Sequence, residues 1–382
     1  MDYSDAGGNR ERRQFASKRE ADAFRVEIEG QLRTGTFRPE AAKVTVGEAA
    51  DIFLDHCDAR MKRRERMTRH NYKVYEGHIR NYICPDRQRH SLGKRPPRLK
   101  DFDGGVSATK LAQFTVSKVA DFRDRLRDAG VSVPTTRKIL GTLSVALEYA
   151  ISRDLVAVNP AKGVKVIGRR DEGSKKIVPP SKDAMRRLIE AAGPDFRLKL
   201  IVASATGLRA GEFHALRWRH FNFAEQEVTI EARVDAYGDE DVTKTAAGMR
   251  TLPLSMAVVN ALKEWKIRSK HSHSDDLVFP NKRGGYTGHD NMVKRHFLPL
   301  FETLAAMHDM DPVRHAPAPN RFNWHALRHF AVSCWIDAGL APKTVQTFAG
   351  HSSLQVTMDR YGHLFKSDDH KKAMDAIATG LF

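Results

Sequence analysis

Cysteine is scarce in this sequence of 382 residues, and long apolar runs are missing from it. The three cysteines, Cys57, Cys84 and Cys334, are widely spaced and form no CxxC pair, which argues against a disulfide framework and a zinc finger. We interpret them as reduced packing residues. No apolar stretch approaches the ~20 residues that a bilayer-spanning helix needs, and the N-terminus lacks the apolar core of a secretory signal. We therefore expect a cytoplasmic protein with no membrane partner.

Acidic residues are also in short supply relative to basic ones. The chain has 47 Asp and Glu against 64 Lys and Arg, which gives a formal net charge of +17. So large a basic excess repels itself unless an anionic partner neutralises it, and nucleic acid is the first candidate. An apolar content of 41% is typical of a soluble globular protein, and the length suits two or three domains.

Helical periodicity dominates the chain, and we divide it into four segments: residues 1–45, 46–162, 163–180 and 181–382. The first holds one amphipathic helix at residues 15–36, and the second has apolar residues at helical spacing that predict four helices. The third is polar, basic and punctuated by glycine and proline, which is typical of a linker. In the fourth, helices flank β-branched runs at residues 227–255. The fold class is therefore mainly α with a small antiparallel sheet.

Positive charge is concentrated between residues 60 and 100, which contain 14 Lys and Arg against 3 Asp and Glu. A solvated helix face followed by a basic loop is one interpretation. A surface for a phosphate backbone is the other, and the charge of the whole chain favours it. The candidate DNA-binding residues are Arg60, Lys62, Arg63, Arg64, Arg66, Arg69, Lys73, Arg80, Lys94 and Arg95.

The second half of the chain carries residue types suited to phosphate chemistry. Arg209 lies at a predicted helix start with Glu212 one turn later, where the carboxylate could hold a guanidinium fork toward a phosphate. His325 and Arg328 stand at i and i+3 and share one helical face. Lys244 lies near the tip of a predicted hairpin, where lysines are also common for solubility alone. Each of these features taken singly has an ordinary structural explanation.

A glycine-histidine pair, Gly350 and His351, stands ten positions ahead of Tyr361. A tyrosine hydroxyl is a poor nucleophile at neutral pH unless its surroundings stabilise charge. Tyr361 is therefore either an ordinary packing residue or a nucleophile, and the other residues that the sequence places around it decide between the two.

The combined order of Arg, Lys, His-x-x-Arg, Gly-His and Tyr resembles that of the tyrosine recombinases, the phage-type integrase family. TGLRAGE is similar to the family's first arginine motif, VTKT to its hairpin lysine, and HALRH to its His-x-x-Arg box. AGHSS resembles its Gly-His motif and DRYGHL its nucleophile motif. The resemblance covers residues 176–382 and implies a mixed α/β catalytic domain. Residues 46–162 are a looser match to the family's helical core-binding domain.

This resemblance implies that Tyr361 attacks a DNA phosphodiester and leaves a 3′-phosphotyrosyl bond and a free 5′-hydroxyl. Arg209 and Arg328 would stabilise charge on the non-bridging oxygens, and Lys244 would protonate the leaving oxygen. We expect His325 to act as the base and His351 to bind the phosphate.

No metal or cofactor is expected. Because Arg209 and Arg328 would stabilise the phosphate charge, a divalent ion has no obvious task. No GxxxxGK[ST] phosphate loop is present in the sequence. The HSH at residues 271–273 lacks a third ligand nearby, so we interpret it as a polar loop.

The expected partner is double-stranded DNA at attachment sites, bound by a tetramer of recombinases, with accessory bending or excision factors as further candidates. A bacterial or phage-derived protein associated with the nucleoid would fit. Two other classes compete, namely a type IB topoisomerase and an inactive DNA-binding protein, and the complete set of six residues argues against the latter.

The N-terminal stretch resembles an arm-binding domain whose sheet is missing or abbreviated. The tail, with Ala373, Met374 and Ile377, would pack on its own domain or on a neighbouring subunit.

Overall fold

The computed structural model describes residues 2–4, 10–12, 14–86, 102–168, 177–242, 248–365 and 370–381. It divides into two compact units, Met1–Gly173 and Ser174–Phe382. Each unit has a hydrophobic core of its own. The prediction of a mainly helical protein with a small antiparallel sheet is confirmed.

The first unit begins with a two-stranded antiparallel ribbon in which Asp2 pairs with Arg12. The sheet that was expected to be missing or abbreviated is therefore present in abbreviated form ahead of the predicted N-terminal helix. The described strands and α-helices of this unit are β1 Asp2–Ser4, β2 Arg10–Arg12, α1 Lys18–Arg33, α2 Val46–Lys62, α3 Arg69–His78, α4 Val116–Asp128 and α5 Val133–Ser152.

Hydroxyl side chains fix where four of these helices begin. Ser17, Thr45, Thr68 and Thr115 each accept a hydrogen bond from a backbone N–H of the first turn, which would otherwise lack a partner. At Thr45 the Glu48 carboxylate also reaches back to the backbone N–H, at 2.7 Å. The predicted N-terminal helix thus begins after a serine cap, Ser17.

Apolar faces of α2, α4 and α5 meet in the core of the first unit. Phe53, Phe122 and Leu143 are among its buried side chains, and Cys57 and Cys84 are buried with them as free thiols. Burial raises the pKa of the Cys57 thiol to about 11, so it remains protonated in the core. These two cysteines are packing residues.

The second unit is helical around a small sheet. Its described strands and α-helices are α6 Lys182–Ala191, α7 Pro194–Thr206, α8 Ala210–His214, β3 Phe221–Asn222, β4 Glu227–Ile230, β5 Ala232–Val234, β6 Glu240–Val242, β7 Arg250–Pro253, α9 Met256–Arg268, α10 His289–Met292, α11 Leu298–Met310, α12 Ala326–Asp337, α13 Pro342–Ala349, α14 Leu354–Tyr361 and α15 His370–Leu381.

The predicted strand region forms two antiparallel pieces. One is a three-stranded sheet in the order β3, β4, β7, with Val228 opposite Leu252. The other is the β5–β6 hairpin, with Ala232 opposite Val242. The turn of this hairpin lies at residues 235–239. Residues 243–247, which include Lys244, follow β6 and lie outside the described residues.

Helix α7 is buried on most of its faces and packs against α12 in the main core of this unit. A smaller cluster joins α12, α13 and α14 through Val332, Val345 and Tyr361. Helices α7 and α13 both end at a glycine with positive φ, Gly207 at +59° and Gly350 at +60°. That left-handed conformation favours glycine and lets the helix stop abruptly. None of the described helices has the length and apolarity to cross a membrane.

Candidate active site

Five of the six predicted catalytic residues lie within the described residues, and contacts link them into one site on the second unit. Arg209, His325, Arg328, His351 and Tyr361 come from α8, α12, α13 and α14 or from the residues beside them. Lys244 falls in residues 243–247, outside the part of the chain that the structure describes.

Three arginines converge on the carboxyl end of α13. The Phe348 carbonyl accepts from Arg250 at 2.8 Å, the Ala349 carbonyl accepts from Arg328, and the Gly350 carbonyl accepts from Arg209 at 2.7 Å. Carbonyls at the end of a helix have no partner within the helix and carry its partial negative charge. These carbonyls can therefore accept hydrogen bonds from three guanidinium groups.

Arg209 is held at the start of α8, as predicted, by the carboxylate one turn later. Its guanidinium donates to Glu212 at 2.9 Å, and its backbone N–H donates to the other Glu212 oxygen at 2.9 Å. The Arg209 side chain nevertheless remains 42% exposed. The fork is thus fixed in place with part of its surface open to a ligand.

Arg328 is almost completely buried, and it spans the ends of two helices. Besides the Ala349 carbonyl, it donates to the Gly207 carbonyl at 2.8 Å. Burial, and then the neighbouring charge of Arg209, lower the pKa of Arg328 to about 9. Two guanidinium groups that repel each other in a partly dry site would be stabilised by an anion bound between them.

Arg250 was missed in the sequence, although it completes this arrangement. Its guanidinium donates to both oxygens of Glu212, at 3.2 and 2.8 Å, and both side chains are buried. Burial alone would raise the pKa of Glu212, but hydrogen bonds and charge from Arg250, with Arg209, outweigh it and lower the pKa to about 2. One signal was available, since Arg250 shares the inward face of β7 with Leu252.

Tyr361 is the last residue of α14, and none of its surface is exposed. Its hydroxyl lies 2.6 Å from Nδ1 of His329, a residue that we did not single out in the sequence. Its ring stacks on that of His351, with centroids 6.1 Å apart. Burial raises the pKa of Tyr361, although the charges of Arg328, Arg360 and Arg209 oppose the rise. The phenol therefore stays protonated at neutral pH.

The two predicted histidines occupy different settings. His351 is buried, with Nδ1 2.9 Å from the Thr357 hydroxyl, while its Nε2 has no hydrogen-bond partner among the described residues. A phosphate oxygen would satisfy that nitrogen when it carries the proton. His325 is exposed, and its ring meets His329 edge-on at 4.8 Å.

Both histidines are neutral at pH 7. Desolvation, followed by the charge of Arg328, lowers the pKa of His351 to about 3. Desolvation, followed by the proximity of His329 and Arg328, lowers the pKa of His325 to about 4. A negative phosphate would offset these positive neighbours and raise both pKa values.

Sequence comparison places this arrangement in a known family. Residues 181–368, which contain the whole site, match the phage integrase family model. The chain therefore carries a domain of this family, the tyrosine recombinases. Members are DNA strand-transferring enzymes, and this chain is an enzyme of that class.

A relative from Caldanaerobacter subterraneus subsp. tengcongensis, described as tyrosine recombinase XerC-like, is 25% identical over 404 aligned residues. The alignment covers 98% of this chain and 93% of that protein. Among solved structures, a Tn1549 transposon integrase in complex with a circular intermediate DNA has a TM-score of 0.64 at 17% identity. The match covers 87% of this chain and 99% of that one.

A lambda integrase tetramer bound to a Holliday junction matches with a TM-score of 0.52 at 16% identity, covering 92% of this chain and 93% of that one. At these identities the two structural matches show a shared fold. They agree with the mainly helical recombinase architecture described above.

The basic residues of the recombinase's first unit lie mostly at its surface, at the end of α2 and the start of α3. Several have acidic neighbours, such as Lys62 with Asp58 at 2.7 Å and Arg63 with Glu65 at 2.5 Å. The other members with side chains at least partly open to solvent are Arg60, Arg64, Arg66, Arg69 and Lys73. Exposed ion pairs of this kind are weak and can exchange for a phosphate.

Arg80 differs from the other basic candidates. Its side chain is 12% exposed and pairs with Asp51 at 2.7 Å, so we no longer assign it to a phosphate. Lys94 and Arg95 lie in residues 87–101, outside the described part of the recombinase. Among the described residues, no group of three or more His, Cys, Asp or Glu side chains is placed to hold a metal.

Proposed function

We propose that this recombinase cleaves and rejoins DNA at specific sites through a covalent 3′-phosphotyrosyl intermediate on Tyr361, and that it integrates or excises a mobile element. The convergence of Arg209 and Arg328 on one helix end beside Tyr361 is the observation that supports the proposal. Two guanidinium groups fixed by backbone carbonyls are organised before the substrate arrives, and such preorganised charge lowers the barrier to reaction.

Phosphate binding comes first in the proposed sequence. The exposed part of Arg209 donates to a non-bridging oxygen, and the buried Arg328 supplies a second positive charge. His351 donates from Nε2, the ring nitrogen that has no partner among the described residues. Because Tyr361 is fully buried, the surface around the site must open before the phosphate can reach its hydroxyl.

Attack then forms the bond between the Tyr361 oxygen and phosphorus as the bond to the 5′-oxygen breaks. The leaving oxygen takes a proton from Lys244, which the segment between β6 and β7 would carry to the site. The covalent bond retains the energy of the original phosphodiester. Rejoining to a different 5′-hydroxyl therefore needs no nucleotide cofactor.

We further propose that residues 46–162 bind the core DNA, that residues 163–180 link them to the catalytic domain at 181–382, and that residues 1–45 form a reduced arm-binding segment. The lambda integrase match is a tetramer on a Holliday junction, which supports the same assembly for this chain. The transposon origin of the Tn1549 integrase supports a mobile-element role. The relative from Caldanaerobacter subterraneus supports a bacterial origin, where we place the protein in the cytoplasm. Accessory bending or excision factors would set the direction.

The test is covalent capture on a nicked suicide duplex that carries the element's attachment site. Wild-type protein should give an adduct that resists denaturant, and Tyr361→Phe should bind the same DNA without forming it. Tyr149→Phe, which removes a phenol hydroxyl from the first unit, is the matched control and should still form the adduct. Specific binding with no adduct by any variant would favour an inactive DNA-binding protein. Capture on any sequence with equal efficiency would favour a topoisomerase.

A further inference from the structure

The hydroxyl of Tyr361 is bonded to a histidine outside the set expected to act on it. His329 Nδ1 lies 2.6 Å from the hydroxyl oxygen, and the two ring centroids are 5.8 Å apart at an interplanar angle of 57°. That distance is short for a nitrogen-to-oxygen hydrogen bond. His329 directly follows Arg328 in α12.

The helix geometry explains how His329 comes to face Tyr361. His325 and His329 are four residues apart and lie on one face, with their rings in edge contact. Of the two, His325 is the more exposed residue, while His329 is half-buried with its Nδ1 beside the Tyr361 hydroxyl. The exposed ring is placed to meet a ligand, and the half-buried ring is placed to meet the nucleophile.

We propose that His329 accepts the Tyr361 proton during DNA cleavage, a role that rests on the proposed function. In this step the Tyr361 oxygen forms its bond to phosphorus while its proton moves to Nδ1 of His329. The bond from phosphorus to the 5′-oxygen breaks with its electron pair on that oxygen, which Lys244 protonates. His329 thus takes the part that the sequence suggested for His325, and rejoining returns the proton to Tyr361.

The state of both partners suits this transfer. Burial, and then the charges of Arg328 and Arg360, lower the pKa of His329, so the ring is neutral and Nδ1 can accept. Burial raises the pKa of Tyr361, so a free phenolate does not form at neutral pH. The nucleophile therefore needs a base within hydrogen-bond reach, and His329 is the neutral imidazole in that position.

Single-turnover cleavage of the suicide duplex across a pH series tests the role. His329→Asn keeps an acceptor near the position of Nδ1 but cannot take up a proton. It should cleave about 10²–10⁴-fold more slowly than wild type and lose the decline in rate at acidic pH. That decline arises because a protonated His329 cannot accept, and it should persist in His325→Asn. His273→Asn changes an exposed histidine outside the site and should match wild type.

Two cleavage results would overturn the proposal. One is a His329→Asn enzyme that cleaves at nearly the wild-type rate, which would reduce His329 to a positioning residue. The other is loss of the acidic decline in His325→Asn but not in His329→Asn, which would return the role to His325.

A second measurement uses the DNA-free protein, so it does not depend on activity. Nitrogen NMR of the histidine rings should show that the Nδ1 resonance of His329 changes in Tyr361→Phe, because the hydrogen bond is lost. An unchanged resonance would contradict the contact. If the resonance changes but wild-type protein forms no adduct on its attachment site, the proposed function fails and the contact is structural only.

Discussion

At the scale of single residues, the site is organised around one carboxylate. The oxygens of Glu212 receive hydrogen bonds from Arg209 and Arg250, and those same arginines also bond to carbonyls at the end of α13. Glu212 therefore connects α8, β7 and α13. A buried charge pair of this kind is costly to break, because removing one partner leaves the other without compensation.

Glu212→Gln should lower the free energy of unfolding by about 3–5 kcal/mol, because Arg250 is left buried without its counter-charge. Chemical denaturation at neutral pH measures the loss. The matched control is Glu302→Gln, which breaks an exposed pair with Arg321 and should cost no more than about 1 kcal/mol. Equal losses for the two variants would contradict the role of Glu212.

The Glu212 carboxylate also makes the free energy of unfolding depend on pH, and the direction follows from its lowered pKa. The carboxyl group has an ordinary pKa of 4.5 and a folded value of about 2, so the unfolded state binds its proton first as the pH falls. Stability from Glu212 is complete above pH 4.5 and is lost as the pH approaches 2, by an amount on the order of 3 kcal/mol. Glu212→Gln should lack this component of the acid dependence.

The sequence alone predicted the contact between Arg209 and Glu212, because the two residues are close in the chain. Arg250 and His329 escaped prediction because their contacts join distant parts of the chain. Arg250 meets Glu212 across 38 positions, and His329 meets Tyr361 across 32. Local periodicity marks such residues as inward-facing and does not identify what they face.

At the scale of elements, the end of α13 is the feature on which the arginines depend. Carbonyls 348–350 each accept from a different guanidinium, and the left-handed Gly350 ends the helix so that they stay open. Any change that lets α13 continue or twist at this point would move three acceptors together. The contribution of Gly350 to catalysis is therefore conformational.

Gly350→Ala should cost about 1–2 kcal/mol of stability, the strain of a side chain in the left-handed region. Cleavage of the suicide duplex should fall by at least about tenfold, because small displacements of positioned groups slow a reaction. Gly339→Ala is the control, since Gly339 has φ of +82° and open space around its missing Cβ. It should lose similar stability and keep its cleavage rate. Equal cleavage by both variants would contradict this role for α13.

Most elements could be predicted because their start and stop signals are local. The helix predicted at residues 15–36 is found at Lys18–Arg33, within three residues at each end. The strand region at residues 227–255 was predicted as one small sheet, whereas the structure forms a three-stranded sheet and a separate hairpin. Strand pairing depends on which distant partner is reached, and propensity carries no information about that choice.

At the scale of the whole molecule, the net charge of +17 predicts strongly salt-dependent binding to DNA. Neutralised phosphates release their counterions, so affinity should fall by about 10³–10⁵ between 50 and 200 mM salt if 6–10 phosphates are contacted. Fluorescence anisotropy with labelled duplex measures the slope.

Single substitutions locate the charge responsible for that slope. Arg64→Gln and Arg66→Gln should each reduce it by about one unit, because each removes one phosphate contact. Lys118→Gln, an exposed lysine in α4 outside the basic stretch, should leave the slope unchanged. If all three changes reduce the slope equally, the attraction to DNA comes from the overall charge, and residues 60–100 do not form a defined DNA-binding surface.

The most direct test of the whole account is to map the covalent adduct by mass spectrometry. Wild-type protein captured on the suicide duplex would be digested with nuclease and protease, and the peptide that carries the residual nucleotide would be sequenced. The account predicts a 3′-phosphonucleotide on Tyr361 and no labelled peptide in Tyr361→Phe. A nucleotide attached to any other residue, or an adduct that survives in Tyr361→Phe, would contradict it.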